Sequence, residues 1–477
     1  VFARVESECS ILNSTEPINF KGAARKNLAE PLLRQNLRRA AAHSLTTRRE
    51  AVSQMADWED LRSQAHSIKN EVIEHLPDYL EQFEHRAQEA GSKVFWARTA
   101  QQAVDYVVQV CREKGASLVV KAKSMTTEEI ELNHGLEAAG IEPVETDLGE
   151  YIVQLAGETP SHITAPALHK SRTQIGKLFK EKLGTDYTDD PVKLTQIARA
   201  RLREKFLSAT VGVTGVNFAI AETGTIVVIT NEGNGRMCTT LPSTHIAILG
   251  IEKLIPRFED LPVFLKLLAR SATGQKLTSY MTMITGPQRI GESDGPEELH
   301  LILLDNGRSD FLSHPHMREA LYCIRCGACL NTCPVYQRVG GHTYGWVYPG
   351  PIGSLLTPQL LGLEKGQELP FASSLCGSCS DICPVKIDIH HMLLWLRKSV
   401  VDHHLTCRTE RFMMRLFGFA MKNPTMYHWG HRLGWMLQRL FAPKGKGLRV
   451  PVWSRERDFP PLARKSFHDL WNEGKAR

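Results

Sequence analysis

The chain has 477 residues, 42% of them hydrophobic and 23% charged, with a formal net charge of +6 from 58 basic and 52 acidic side chains. Such a composition suits a globular chain of two or three domains with sizeable cores. It argues against a nucleic-acid binder working through bulk charge, and no apolar run reaches the ~18 residues that a membrane-spanning helix needs.

Residues 1–90 are expected to be a helical region. Apolar side chains recur at three- and four-residue steps: Leu32, Leu33 and Leu37, then Trp58 and Leu61, then Val72, Leu76, Leu80 and Phe83. The pairs Arg38–Arg39 and Arg48–Arg49 read as solvated surface. Residues 91–310 alternate between strand and helix patterns, which predicts an α/β domain with a mainly parallel sheet. Strands are expected at Val94–Ala97, Ser117–Lys121, Thr225–Thr230, His245–Leu249 and Leu299–Leu304. Helices are expected at Ala100–Lys114 and, capped by Thr127, at Thr127–Ala139.

Residues 311–400 hold seven of the eleven cysteines, in two runs. The first is Cys323-x2-Cys326-x2-Cys329-x3-Cys333-Pro334, and the second Cys376-x2-Cys379-x3-Cys383-Pro384. This is the bacterial iron–sulfur spacing. Three thiolates at steps of three wrap three corners of one cube, and the cysteine before proline ligates the other cluster. Cys323, Cys326, Cys329 and Cys383 are therefore expected on cluster 1, and Cys333, Cys376 and Cys379 on cluster 2. Ser373 stands where the second run would have its first cysteine. That leaves an open iron, a [3Fe–4S] cluster, or a fourth ligand from Ser373, water, substrate or a partner. We favour two [4Fe–4S] clusters, the second held by three protein cysteines. Zinc prefers two separated cysteine pairs, and a disulfide framework does not suit a long chain with clustered cysteines. Cys9, Cys111, Cys238 and Cys407 read as unpaired. The aromatic, glycine-rich loop 340–353 could shield a cluster or simply connect the two runs.

Residues 401–477 are expected to be a helical region and tail, with a Met- and aromatic-rich helix over Arg408–Phe441 that serves a core or a partner groove. The tail from Pro443 carries nine basic and four acidic residues; it would lie across the protein or dock a partner. Reduced thiols and oxygen-sensitive clusters suit the cytoplasm, and no charged head followed by an apolar stretch opens the chain.

In the α/β domain the loops after strand C-termini are where ligands sit. Lys121–Met125, Glu145–Gln154 and the glycine-rich Thr230–Arg236 are the candidates, with Arg236 offered as an anion-binding cation. No G-x-G-x-x-G dinucleotide loop is present. His162, His169 and His245 could do acid–base chemistry, although a satisfied buried histidine is the commoner case.

The stretches Lys121–Met125, Thr146–Gln154, Pro160–Ile163, Ala219–Thr225, Asn231–Arg236 and Asp305–Arg308, together with Cys323–Pro334 and Leu375–Lys386, resemble the iron–sulfur subunit of the LUD family. The resemblance runs from about Phe20 to Trp471. It implies an α/β LUD domain related to CoA-transferase and sugar-phosphate-isomerase folds, joined to an α-helical, ferredoxin-type two-cluster domain. It also implies electron transfer in the oxidation of L-lactate to pyruvate. The implied partners are a cysteine-rich protein with Cys-Cys-Gly motifs and a smaller LUD protein, with no nucleic acid and at most peripheral membrane contact. The three-cysteine second run is part of the family pattern. The alternative is a catalytic subunit that binds lactate or another small anion in the LUD domain or at an open cluster iron. A third reading makes the clusters purely structural.

Overall fold

The computed structural model describes residues 16–442, 447–449, 454 and 459–475. The chain divides into two compact units, Val1–Ser399 and Val400–Arg477. The N-terminal helices, the α/β region and the cysteine runs therefore share the first unit.

Ten strands occur among the described residues: β1 (Lys93–Ala97), β2 (Leu118–Lys121), β3 (Glu142–Glu145), β4 (Val211–Gly215), β5 (Phe218–Ile220), β6 (Thr225–Thr230), β7 (Thr244–Gly250), β8 (Leu254–Ile255), β9 (Tyr280–Ile284) and β10 (Glu298–Leu304). Six form a fully parallel sheet in the order β1-β10-β7-β4-β2-β3. Both faces of such a sheet are covered, so its strands need unbroken apolar runs. Val119, Val120, Val213, Ile246, Ile248, Leu301 and Leu303 are all fully buried. From β2 the chain steps outward to β3, then crosses back to β4 and continues to β7 and β10. The direction of winding thus reverses between β2 and β4, and crevices at such reversals open at the strand C-termini.

The other four strands form a small sheet, β8-β5-β6-β9, in which β6 runs antiparallel to both neighbours. Thr225–Thr230 is a strand as expected, but it belongs to this sheet. A tight turn ending in Gly224 (φ +66°) folds it back on β5. A Cβ on Gly224 would lie 2.4 Å from the Ala87 nitrogen, so the turn also needs the missing side chain.

The helix expected over Thr127–Ala139 is two helices, Met125–Glu129 and Leu132–Ala138. Ser124, not Thr127, caps the first, its Oγ accepting the Thr127 N–H at 3.2 Å. Glu131, in the left-handed region at φ +51°, separates the two. Of the N-terminal apolar positions, Leu37, Trp58, Leu61, Val72, Leu76, Leu80 and Phe83 are buried, but Leu32 is exposed. Arg48 is not surface as expected: it is half-buried over the Trp58 ring and donates to the Ile382 carbonyl at 3.1 Å.

In the second unit, the single helix expected over Arg408–Phe441 is broken into Arg408–Lys422 and Pro424–Phe441. Proline cannot donate the missing hydrogen bond and pushes the preceding residue out of the helical region. Asn423, extended at ψ 108°, caps the second helix. Phe412, Met413, Phe417, Trp429, Met436 and Phe441 are exposed, so these side chains are not core among the described residues. Much of the basic tail, and Cys9, lie outside the described residues.

Candidate functional site

The two cysteine runs fold into the same local shape. Arg325 (φ +59°) and Leu375 (φ +56°) hold equivalent left-handed positions, as do Gly327 (φ +74°) and Gly377 (φ +79°). A one-turn helix follows each, Ala328–Thr332 and Ser378–Ile382, and each ends at an extended cysteine before proline, Cys333 and Cys383. The left-handed residues coil the backbone tightly enough for side chains three apart to face one centre. The loops lie side by side, with the Thr332 and Ser378 hydroxyls 2.6 Å apart.

Cys323, Cys326 and Cys329 of the first loop and Cys383 of the second line one cavity. Ile163, Ile352 and Ile389 form part of its apolar wall. Burial pushes the Cys383 thiol up to about 11 and raises Cys326 and Cys329 further. Those three buried thiols ionise only against a compensating positive charge, so the set of four sulfurs fits a soft, thiolate-held metal group. Backbone N–H groups already point at sulfur: Arg325 to Cys323 at 3.4 Å, and Ile387 to Cys383 at 3.4 Å.

Cys333 leaves that cavity. Its charge bears on Cys379, as does that of Cys376, and burial holds the Cys379 thiol at about 12. Cys376 is exposed, and hydrogen bonds from the Ser378 backbone and the Ser374 side chain draw its thiol down. Ser373 occupies the place that Cys323 has in the first loop: its Oγ accepts the Leu375 N–H at 3.1 Å, as Cys323 Sγ accepts that of Arg325.

Cations crowd the first cavity. Arg62 is buried and donates twice to the Cys383 carbonyl, at 2.9 and 2.7 Å, and once to that of Asp381. The charge of Arg48 bears on Cys326 and Cys383, and those of Arg325, Lys253 and Lys69 bear on Cys323. Arg325 stacks on Tyr348 at 4.8 Å and reaches Glu252 at 3.3 Å. Tyr348 in turn donates to Glu129, which pairs with Arg308, itself bonded to Glu252. The aromatic loop is thus neither a plain shield nor a plain connector. Tyr348 ties the cluster loop to a buried ion network on the parallel sheet. Sequence reasoning missed Arg62 and Lys253, because nothing in their neighbourhood along the chain marks them, and passed over Arg325, although it stands inside the first cysteine run.

A second, larger cavity, about 350 Å³, opens where the winding of the parallel sheet reverses. Lys123 and Ser124 after β2, Asp147 after β3, Asn217 after β4 and Glu232 after β6 line it. Ile163 and Arg325 belong to both cavities. All three expected stretches therefore reach the larger one, through Lys123–Met125, Asp147 and Thr230–Glu232. Arg236 does not: Thr230–Arg236 runs directly into the helix Asn234–Thr240, whose outer face carries Arg236 into solvent. The three histidines are satisfied or remote. His162 Nδ1 accepts the Thr164 and Ala165 N–H groups while Nε2 meets Asn331, and burial lowers it to about 4. His169 bonds Ser161 and Glu158, and His245 meets Thr214 inside the sheet. Cys238 is buried, and burial pushes its thiol up to about 12, which leaves it unreactive.

Beneath β2 lies a buried ionic cluster with no counterpart in the sequence reading. Lys121 Nζ sits 2.5 Å from Glu145 and 3.8 Å from Glu128, and it also bonds Asn133. Glu150 is buried near them, and neither carboxylate oxygen has a hydrogen-bond partner.

Comparison with known proteins agrees with this layout. Residues 80–304 match the LUD domain, residues 319–387 the 4Fe-4S dicluster domain, and residues 402–476 the C-terminal region of lactate utilisation protein B. A lactate utilization protein B of Shouchella clausii is 45% identical, over 94% of this chain and 96% of that one. That of Bacillus licheniformis is 44% identical, over 96% and 97%. An Escherichia coli K12 relative named as an uncharacterized electron transport protein, YkgF, is 42% identical over 97% and 98%. A solved DUF162 family protein from Deinococcus radiodurans covers 48% of this chain and 98% of its own at 15% identity, with a TM-score of only 0.26.

Proposed function

The chain belongs to the lactate utilization protein B family, and from that membership we propose that it is the electron-transfer subunit of an assembly that oxidises L-lactate to pyruvate. An iron–sulfur role in lactate use is common ground for the family; the reaction, the ligand sets and the partners are our reading. The observation that carries it is the convergence of Cys323, Cys326, Cys329 and Cys383, from two separate loops, on one cavity.

Those four residues would hold cluster 1, and Cys333, Cys376 and Cys379 would hold cluster 2. Both are taken as [4Fe–4S] clusters, the second with three protein cysteines. Such clusters supply one-electron transfer. The chain itself fixes the thiolates on two rigid loops, excludes water from the first with Ile163, Ile352 and Ile389, and sets positive charge around it through Arg48, Arg62 and Arg325. Exposure of Cys376 leaves the second site open toward solvent, as an exchange point with a partner requires. We take the partners to be a cysteine-rich Cys-Cys-Gly protein and a smaller LUD protein. No helix among the described residues is long and apolar enough to cross a membrane, and we place the assembly in the cytoplasm.

Anaerobic reconstitution followed by iron and sulfide analysis and EPR tests this reading. About eight irons per chain with two magnetically coupled reduced signals are expected, with cluster absorbance bleached by lactate once the partners are added. A colourless, zinc-rich protein would overturn it.

A further inference from the structure

The large cavity at the β2/β4 reversal carries positive charge that its own carboxylates do not neutralise. Lys123, Lys253 and Arg325 line it. Lys253 is buried, and no hydrogen bond or ion pair holds its ammonium among the described residues. Arg325 is nine-tenths buried, and its Nη1 has no hydrogen-bond partner. The one carboxylate near both, Glu252, is already shared between Arg308 at 2.7 Å and Arg325 Nη2 at 3.3 Å. The two carboxylates that line the cavity accept backbone N–H groups. Asp147 accepts the Gly149 and Glu150 N–H groups at the start of the helix Leu148–Ala156, and Glu232 accepts that of Leu148. Leu268, Ala269, Ala272 and Ile229 give the cavity an apolar side.

A buried ammonium without a partner and a buried guanidinium with one unpaired N–H are costly, and an anion would satisfy both. A guanidinium with a free N–H beside an ammonium suits a carboxylate, which can accept from both. Position adds to this. Arg325 and Ile163 form part of the wall between this cavity and the one lined by Cys323, Cys326, Cys329 and Cys383. An acid held at that end would lie one side chain from cluster 1.

We propose that this cavity is a binding site for a small 2-hydroxy or 2-oxo carboxylate, whose carboxylate group sits between Lys253 and Arg325 with its carbon chain toward the apolar side. The site refines the functional reading above and rests on it for the class of acid, but its geometry is independent of that reading. The charges of the same cations also bear on Cys323, so the rival account is that they serve only as counter-charge for the cluster.

The test is isothermal titration of the full, iron-replete chain, kept anaerobic, with L-lactate, pyruvate, acetate and inorganic phosphate, alongside EPR of the reduced clusters. Lactate or pyruvate is expected to bind more tightly than acetate or phosphate and to perturb the cluster 1 signal while leaving that of cluster 2 unchanged. Lys253→Gln should weaken binding about tenfold or more, the loss expected for one charge-assisted hydrogen bond. Ala272→Phe, which fills the cavity without touching a charge, should abolish binding and keep both cluster signals. Binding unchanged in both variants, no binding heat by any acid, or equal binding of phosphate and lactate would each overturn the assignment. These failures differ from failure of the electron-transfer reading, which would appear as missing iron or absent EPR signals before any acid is added.

Discussion

Replacing Arg325 by glutamine removes one positive charge from the loop that bears Cys323, Cys326 and Cys329, and leaves the backbone N–H that meets Cys323 Sγ in place. Glutamine is no less able than arginine to hold the left-handed φ of +59° at this position. Reduction of a cluster held by these cysteines would add one negative charge, which the guanidinium would stabilise. A unit charge roughly 8 Å away, at an effective dielectric constant of about 20, is worth about 2 kcal/mol. For a one-electron couple that is about 90 mV. The Arg325→Gln protein should therefore show cluster 1 harder to reduce by about this amount, and cluster 2 shifted much less, in an EPR-monitored redox titration without added acid. The cation–π contact with Tyr348 is lost as well, but Tyr348 keeps its bond to Glu129, so the loop should hold its place. A titration in which both potentials move together, or neither moves, would refute the claim that this cation acts on one cluster only.

Three further outcomes are expected. Cys383→Ala, although in the second loop, should cost the chain cluster 1, whereas Cys333→Ala in the first loop should cost it cluster 2; iron counts with EPR of each variant decide it, and loss of the cluster nearest in sequence would disprove the crossed ligation. Ser373→Cys should give cluster 2 a fourth thiolate, since the position matches that of Cys323, and lower its potential. Mössbauer spectra with the unique iron still distinct would show that the side chain does not reach. Glu150→Gln should stabilise the protein at pH 8. Burial, with Glu145 and Glu128 adding like charge, holds the Glu150 carboxyl well above its ordinary value, and Glu128 is lifted to about 7. A raised acid contributes stability that is fully present below its unfolded value and lost as pH rises through the folded one. The gain from Gln should therefore shrink as the pH is lowered from 8 toward 5, which thermal unfolding at both pH values measures. A gain independent of pH would point to packing instead.

The cysteine spacing alone determined the kind of chemistry, because a tight loop has to supply three thiolates from neighbouring positions and so writes the pattern into local sequence. The parallel strands were legible for a similar reason. Strands buried on both faces need apolar runs, as in Leu118–Val120 and Leu301–Leu304. In Thr230–Arg236 the loop was legible, since Thr230–Glu232 line the cavity, but the choice of Arg236 misled, because glycine marks close packing as readily as a ligand loop. Here Gly235 lies against Thr230, while Arg236 turns outward. What tertiary structure decided was every partnership between distant segments: Arg62 on the Cys383 carbonyl, Lys253 beside Arg325, and Ile163 shared by both cavities. No local pattern can announce these. A buried charge is placed by what surrounds it in space, and those surroundings come from residues tens to hundreds of positions apart.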